Sequence, residues 1–239
     1  MEDMTEGPAV GRRVVLGMLG LGAVGVVAGS PISRAVSGAV TAIARHDPTG
    51  VTDLLPGGGW RFYSVTDREP RRTTADYRLA VSGLVDRPRT LTYADLQGLP
   101  RTRLTSDFQC VTGWRVPDVR WAGVRLADVL DLAGVRPAAR AVTFVSFDGA
   151  YTESLTLDQA RRPDVLVADT MDGKPLSRDH GGPVRLLVAP MYGYKSCKWL
   201  GAIRVVDRVR PGYWEHYGYD VDAWVGRSNG RDDAPTGNA

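Results

Sequence analysis

Three short stretches hold the side chains best suited to chemistry. The first is Asp107-Phe108-Gln109-Cys110-Val111-Thr112-Gly113-Trp114-Arg115, in which Cys110 follows an extended run and precedes a glycine turn. A thiol at the end of a strand-like run is well placed to meet a ligand or a metal. Two structural alternatives stand beside that reading: a cystine with Cys197, as an exported protein would make, or a buried and inert thiol. The second stretch is His180-Gly181-Gly182-Pro183-Val184-Arg185, and the third runs from Tyr192 through Gly193, Lys195, Ser196, Cys197 and Lys198 to Leu200. Paired glycines and a proline let a loop pass close to a ligand, and His180, Arg185 and Lys198 supply donors for a phosphate. Backbone N–H groups from Gly193 to Lys198 can converge on an anion. The alternative is a basic loop that is simply solvated. The Gly-x-x-x-x-Gly-Lys-Ser/Thr spacing of a Walker loop is absent.

Composition narrows the chemistry further. Two cysteines cannot ligate a four-cysteine iron–sulfur cluster or a four-cysteine zinc site, and without Cys-x-x-Cys-His no covalent haem is expected. Any electrons handled here are expected to pass to another protein or to an unanchored cofactor. A net charge of +3, with basic and acidic residues interspersed, does not point to nucleic acid. With 43% hydrophobic and 24% charged residues, the chain can build a sizeable core.

The elements that must position these residues read as short strands alternating with turns. Strands are expected at Tyr77–Val85, Arg101–Cys110, Ala141–Phe147, Val165–Ala168, Val184–Val188 and Ala202–Val206. Thr92 caps a short helix ending near Gly98, Val124–Ala133 has helical spacing stopped by Gly134, and Thr156 opens another short helical stretch. Asp172-Gly173 marks a tight hairpin. The sum is a mixed α+β domain of short strands, short helices and long ordered loops, and long loops are where a large cofactor is held.

Taken in order, Cys110-Val-x-Gly-Trp114, Trp121-Ala-Gly-Val-Arg-Leu126, Phe147-Asp-Gly-Ala-Tyr151, His180-Gly-Gly-Pro-x-Arg185, Lys198-Trp-Leu200 and Gly212-Tyr-Trp-Glu215 with Gly218-Tyr219 closely resemble the molybdopterin-binding domain of the sulfite oxidase family. The likeness is to its compact bacterial members and covers about residues 60 to 226. It implies a sulfite-oxidase-type fold of mixed β-sheets and a molybdenum–molybdopterin cofactor. The reaction implied is two-electron oxygen-atom transfer on a small substrate, with electrons exchanged with a separate haem protein or cytochrome. The family's ligand cysteine falls on Cys110, and a soft thiolate suits such a metal. Its phosphate contacts fall on His180, Arg185 and the Ser196-Cys197-Lys198 turn, with Cys197 contributing mainly backbone. The periplasmic methionine-sulfoxide reductase branch has Asn at the position of His180. It also carries a pterin-binding Phe-Tyr-Glu element, whose counterpart here is Phe62-Tyr63-Ser64, with Ser64 in place of the acid. Arg115, five residues after Cys110, has the spacing of the arginine that faces sulfite in true sulfite oxidases; the alternative is a loop arginine held in a salt bridge.

At the N-terminus, Arg12-Arg13 precedes sixteen uncharged, glycine-rich residues, Val14–Gly29. This fits a twin-arginine export signal or an uncleaved membrane anchor held by the two arginines. Either places the domain outside the cytoplasm. Residues 1–29 are thus expected to be signal or anchor, 30–57 a linker, 58–226 the folded domain, and 227–239 a disordered polar tail.

Overall fold

The structure is a computed structural model and describes residues 59–67 and 69–230. The expected signal or anchor, the linker, and the last nine residues lie outside the described residues. Among the described residues no helix is long and apolar enough to cross a membrane.

In chain order the first strands are β1 (Arg78–Gly83), β2 (Arg89–Thr92), β3 (Arg101–Gln109), β4 (Arg115–Arg125) and β5 (Ala141–Ser146). They are followed by β6 (Thr152–Thr156), β7 (Val165–Met171), β8 (Lys174–Pro175), β9 (Arg185–Val188) and β10 (Leu200–Val206). Three short helices intervene: α1 (Tyr93–Gln97), α2 (Leu126–Ala133) and α3 (Leu157–Ala160). One sheet has the order β2-β1-β10-β5-β6, with β1 and β10 parallel and the other pairs antiparallel. The other is antiparallel, β3-β4-β7-β8, with β9 also pairing β7. The expected α+β architecture of mixed sheets and short helices is what forms.

Side-chain pattern explains which strands were easy to read. In β1 only alternate residues, Leu79 and Val81, are buried, as a sheet with one covered face requires. In β7 the run Val165–Ala168 is buried throughout. Val165 and Val167 face one apolar cluster, and Leu166 and Ala168 face a second. β9 divides in the same way, with Leu186 and Val188 on one side and Leu187 on the other. This sheet is covered on both faces, which is why those strands read as continuous apolar runs.

Local chemistry sets the helix ends. The Thr92 hydroxyl accepts from Asp95 N–H while the Asp95 carboxylate accepts from Thr92 N–H, a reciprocal cap that contributes about 1 kcal/mol. Asp172 and Gly173 both have positive φ, 49° and 77°, and close the β7–β8 hairpin as Asp-Gly does in a type I′ turn.

Two expectations are corrected. The helix expected from Val124 begins at Leu126, because Val124 and Arg125 still pair with β7. The packed chain also continues past Gly226: Ser228 is buried, and the Asn229 amide donates to the Tyr194 hydroxyl at 3.0 Å.

Candidate active site

β3 and β4 meet in a short turn that carries Cys110. Cys110 N–H donates to the Trp114 carbonyl (2.9 Å), Gly113 N–H donates to the Cys110 carbonyl (3.0 Å), and Gly113 turns the chain at φ 103°. A register shift between Ser106 and Phe108 bends β3 just before it, the usual effect of a bulge. The Cys110 sulfur is half-buried and accepts from the Thr112 hydroxyl at 3.2 Å. Both cysteines are free thiols, so the cystine alternative is set aside. Cys197 is fully buried, and its thiol donates to the Lys198 carbonyl at 3.4 Å.

Cys110 lines a cavity of about 220 Å³ together with Tyr63, Ser64, His180, Arg185, Ser196 and Lys198. Seven residues singled out from sequence therefore share one space. Cys197 does not line it: its N–H donates to the Lys195 carbonyl and its carbonyl accepts from Leu186, so its backbone is used in the fold. Arg115 does not line it either. Its Nε donates to the Gln109 amide oxygen (2.7 Å), and its Nη1 lies 3.8 Å from the Asp107 carboxylate.

The phosphate-like end is built around Arg185 on β9. Its Nη1 donates to the His180 carbonyl and its Nη2 to the Ser196 carbonyl, each at 2.9 Å, so one guanidinium joins the His180 loop to the 193–196 turn. It lies over the rings of Phe108 and Trp121, at 5.2 and 5.5 Å. Among the described residues no carboxylate lies within ion-pair distance of it. Burial pulls its pKa down to about 10, which still leaves it charged at neutral pH. A buried cation without a carboxylate is costly by itself and is relieved by an anionic ligand.

The His180 loop needs its glycines because of close approach. A Cβ on Gly181 would lie 2.8 Å from Lys198 Cβ, and one on Gly182 would lie 2.3 Å from the Leu176 carbonyl oxygen. Burial, reinforced by the charge of Arg185, lowers the His180 pKa to about 4. The imidazole is therefore neutral at pH 7. Trp60 and Phe62 pack edge-on against it, with centroids 4.6 and 4.9 Å away.

Lys198 Nζ donates to the Asp179 carbonyl at 3.3 Å and lies over the Trp199 ring. Burial first, then the charge of Arg185, lowers its pKa to about 8. The ammonium is charged below that pH and neutral above it, so the cradle loses a cation as pH rises from 7 to 9. Phosphate binding to cofactor-free protein, followed by calorimetry, is expected to weaken over that interval. Lys198→Arg, which stays charged, is expected to abolish the decline.

The same space is bordered by residues whose positions were not foreseen: Trp60, Thr112, Tyr151, Tyr194, Trp214 and Tyr219. Trp114 is 6% exposed and lines the cavity as well. Tyr151, Trp214 and Tyr219 stand in segments that contributed to the family resemblance, which was the available signal.

The cavity fits an anionic, sulfur-ligated cofactor. It has an accessible thiol at one place, and a buried guanidinium with a lysine at another. Comparison with known proteins agrees. The profile of the oxidoreductase molybdopterin binding domain matches residues 66–214. The uncharacterized oxidoreductase YuiH of Bacillus subtilis is 38% identical over 150 residues, covering 62% of this chain and 75% of that protein. Sulfite oxidase of Arabidopsis thaliana is 35% identical over 179 residues, covering 61% and 46%. The putative protein-methionine-sulfoxide reductase subunit YedZ1 of Azospira oryzae is 34% identical over 154 residues, covering 64% and 57%. The crystal structure of the sulfane dehydrogenase SoxCD from Paracoccus pantotrophus superposes with a TM-score of 0.55 at 25% identity, covering 59% of this chain and 41% of that one. The chain thus spans less than two thirds of the sulfite oxidase, YedZ1 and SoxCD chains. With the thiol, the buried guanidinium and the profile match in agreement, the chain belongs to the oxidoreductase molybdopterin-binding domain family, oxidoreductases whose cofactor is molybdenum–molybdopterin.

Proposed function

We propose that this protein transfers an oxygen atom, with two electrons, to or from a small uncharged sulfur compound such as a sulfoxide. When bound, molybdenum–molybdopterin supplies the two-electron couple and the exchangeable oxygen. Cys110 is its protein ligand, and the Thr112 hydroxyl, donating to that sulfur, fixes the sulfur's orientation. Arg185, Lys198, neutral His180 and Ser196 hold the phosphate end, Arg185 and Lys198 through charge-assisted bonds. Tyr63 and Ser64 border the pterin, with Tyr63 stacked on Trp114 at 6.5 Å. Trp60 and Trp114 restrict water. In the reducing direction a sulfoxide takes up two electrons and two protons and yields a thioether and water.

The observation that carries the choice of a neutral substrate is the guanidinium of Arg115. It is engaged by Gln109 and Asp107 and does not line the cavity. A site selecting sulfite calls for a cation facing the anion. The test sets sulfite oxidation with an artificial electron acceptor against sulfoxide reduction with an artificial donor, on metal-loaded protein. The sulfoxide is expected to be favoured by at least about tenfold in kcat/KM. The reverse ranking would overturn the reading.

The electrons are exchanged with a separate haem protein or cytochrome; the likeness to YedZ1, itself described as a subunit of a putative reductase, supports that reading. The domain works on the outer side of the cytoplasmic membrane, exported or anchored. That reading is supported by Arg12-Arg13 and the uncharged run after it; recovery of the native protein in the cytosolic fraction would count against it.

A further inference from the structure

One buried charge cluster lies behind the cavity lining and does not border the cavity. Lys195 Nζ lies 2.5 Å from Glu153 Oε1 and 2.8 Å from Glu215 Oε1, and the three side chains are at most 2% exposed. The second oxygen of each carboxyl group, Oε2, is buried and accepts from no donor, while the Glu153 and Glu215 side chains stand within hydrogen-bonding reach of each other, so that a proton on one can be shared with the other. Two carboxylates against one ammonium would leave a net negative charge in the interior, at a cost that the Ser154 N–H, which donates to Glu153 Oε1 at 2.7 Å, offsets only in part. A single proton on the pair makes the cluster neutral, as in other buried carboxyl pairs.

The cluster joins three separate segments. Glu153 is on β6, Lys195 is on the 3-10 turn Gly193–Lys195, and Glu215 is on the 3-10 turn Glu215–Tyr217. Each carries cavity-lining residues close to its charged member: Tyr151 two before Glu153, Tyr194 and Ser196 on either side of Lys195, and Trp214 beside Glu215. We propose that Glu153, Lys195 and Glu215 are positioning residues that hold this aromatic wall of the active-site cavity through one proton shared between the two carboxyl groups.

The direction of the pH effect follows from burial. Burial, aided by the like charge of Glu215 and opposed by Lys195, raises Glu153 well above the usual carboxylate range. A carboxyl group with a raised pKa in the folded state contributes stability that is fully present below the unfolded value and is lost as pH rises toward the folded one. The neighbours facing the cluster are Tyr151, Tyr194 and Cys197. Burial holds both tyrosines and the thiol in their neutral forms. His216, on the same turn as Glu215, bonds the Gly212 carbonyl through Nδ1.

The experiment is thermal unfolding of the purified full-length protein as a function of pH, in wild type, Glu153→Gln, Glu215→Gln and the double variant. Wild type is expected to lose stability as pH rises above the ordinary glutamate range. Each single variant carries a permanently uncharged group in place of the shared proton, so each is expected to keep its fold and flatten that slope. The double variant leaves the buried ammonium without a carboxylate and is expected to melt about 10 °C lower across the whole range. As a second readout, KM in wild type is expected to rise at alkaline pH while kcat holds, and Glu153→Gln is expected to remove that rise. The proposal is overturned if both single variants keep the wild-type slope, or if either falls as far as the double. It is also overturned if KM is independent of pH wherever stability is not. The unfolding arm does not depend on the role given to Cys110, so its outcome is separable from that of the proposed reaction.

Discussion

Cys110→Ser is expected to reduce turnover by at least roughly a thousandfold while leaving the pterin bound. Two parts of the cavity make these outcomes separable. The sulfur faces the cavity from the β3–β4 turn, and its exchange for oxygen alters ligand softness with almost no change in volume. The phosphate cradle is formed by other segments, the His180 loop, β9 and the 193–198 turn, none of which Cys110 supports by a hydrogen bond. The side chain is only half-buried and its one hydrogen-bonding neighbour is the Thr112 hydroxyl, so the melting temperature should shift by less than about 3 °C. The measurements are turnover, molybdenum and pterin content per chain, and loss of sulfur-to-metal charge-transfer absorption. Undiminished turnover in the serine variant would remove Cys110 from the chemistry.

Most of the fold was legible because its strands satisfy simple patterns. The buried runs at 165–168 and 184–188, the Thr92 cap and the Asp172-Gly173 turn each carry their own local signal. β4 did not, and its structure explains why. Pro117 and Asp118, the latter at φ 52°, interrupt it, and it slips register against both neighbours, so apolar alternation is confined to the short stretch from Val119 to Trp121. Its Gly123 lies so close to β7 that a Cβ would come within 2.3 Å of the Val167 carbonyl oxygen, a tertiary reason for a glycine inside a strand. In the site, the basic residues were legible from type and spacing. The fate of Arg115 was not, since five residues of separation fix neither the face it points from nor the Gln109 and Asp107 that engage it. The aromatic wall was hidden for a similar reason. Tyr151, Tyr194 and Trp214 come from three segments, joined by the Tyr151 hydroxyl donating to the Tyr194 carbonyl and by a lysine that stands 42 residues from one of its glutamates and 20 from the other.

Arg185→Met should separate what the guanidinium does for the cofactor from what it does for the fold. In the cofactor-free protein the charge is buried against Phe108 and Trp121 and bonded only to backbone carbonyls, of His180, Ser196 and Leu186. An unbranched apolar side chain of similar length removes the desolvation cost but leaves those carbonyls without a donor, at about 1 kcal/mol each. The opposing contributions are comparable, so the melting temperature of cofactor-free protein is expected to stay within about 6 °C of wild type. Loaded protein should behave differently. Loss of charge-assisted bonds to a phosphate costs about 2–5 kcal/mol, or roughly 30- to several-thousandfold in affinity. Pterin should therefore be largely absent from the purified variant. Arg185→Lys should recover only part of it, because an ammonium cannot hold two carbonyls and a phosphate in one plane. If Arg185→Met instead retained its pterin and melted far below wild type when empty, the guanidinium would be a structural brace between the His180 loop and the 193–196 turn. The anion cradle would then have to rest on Lys198 and the backbone alone.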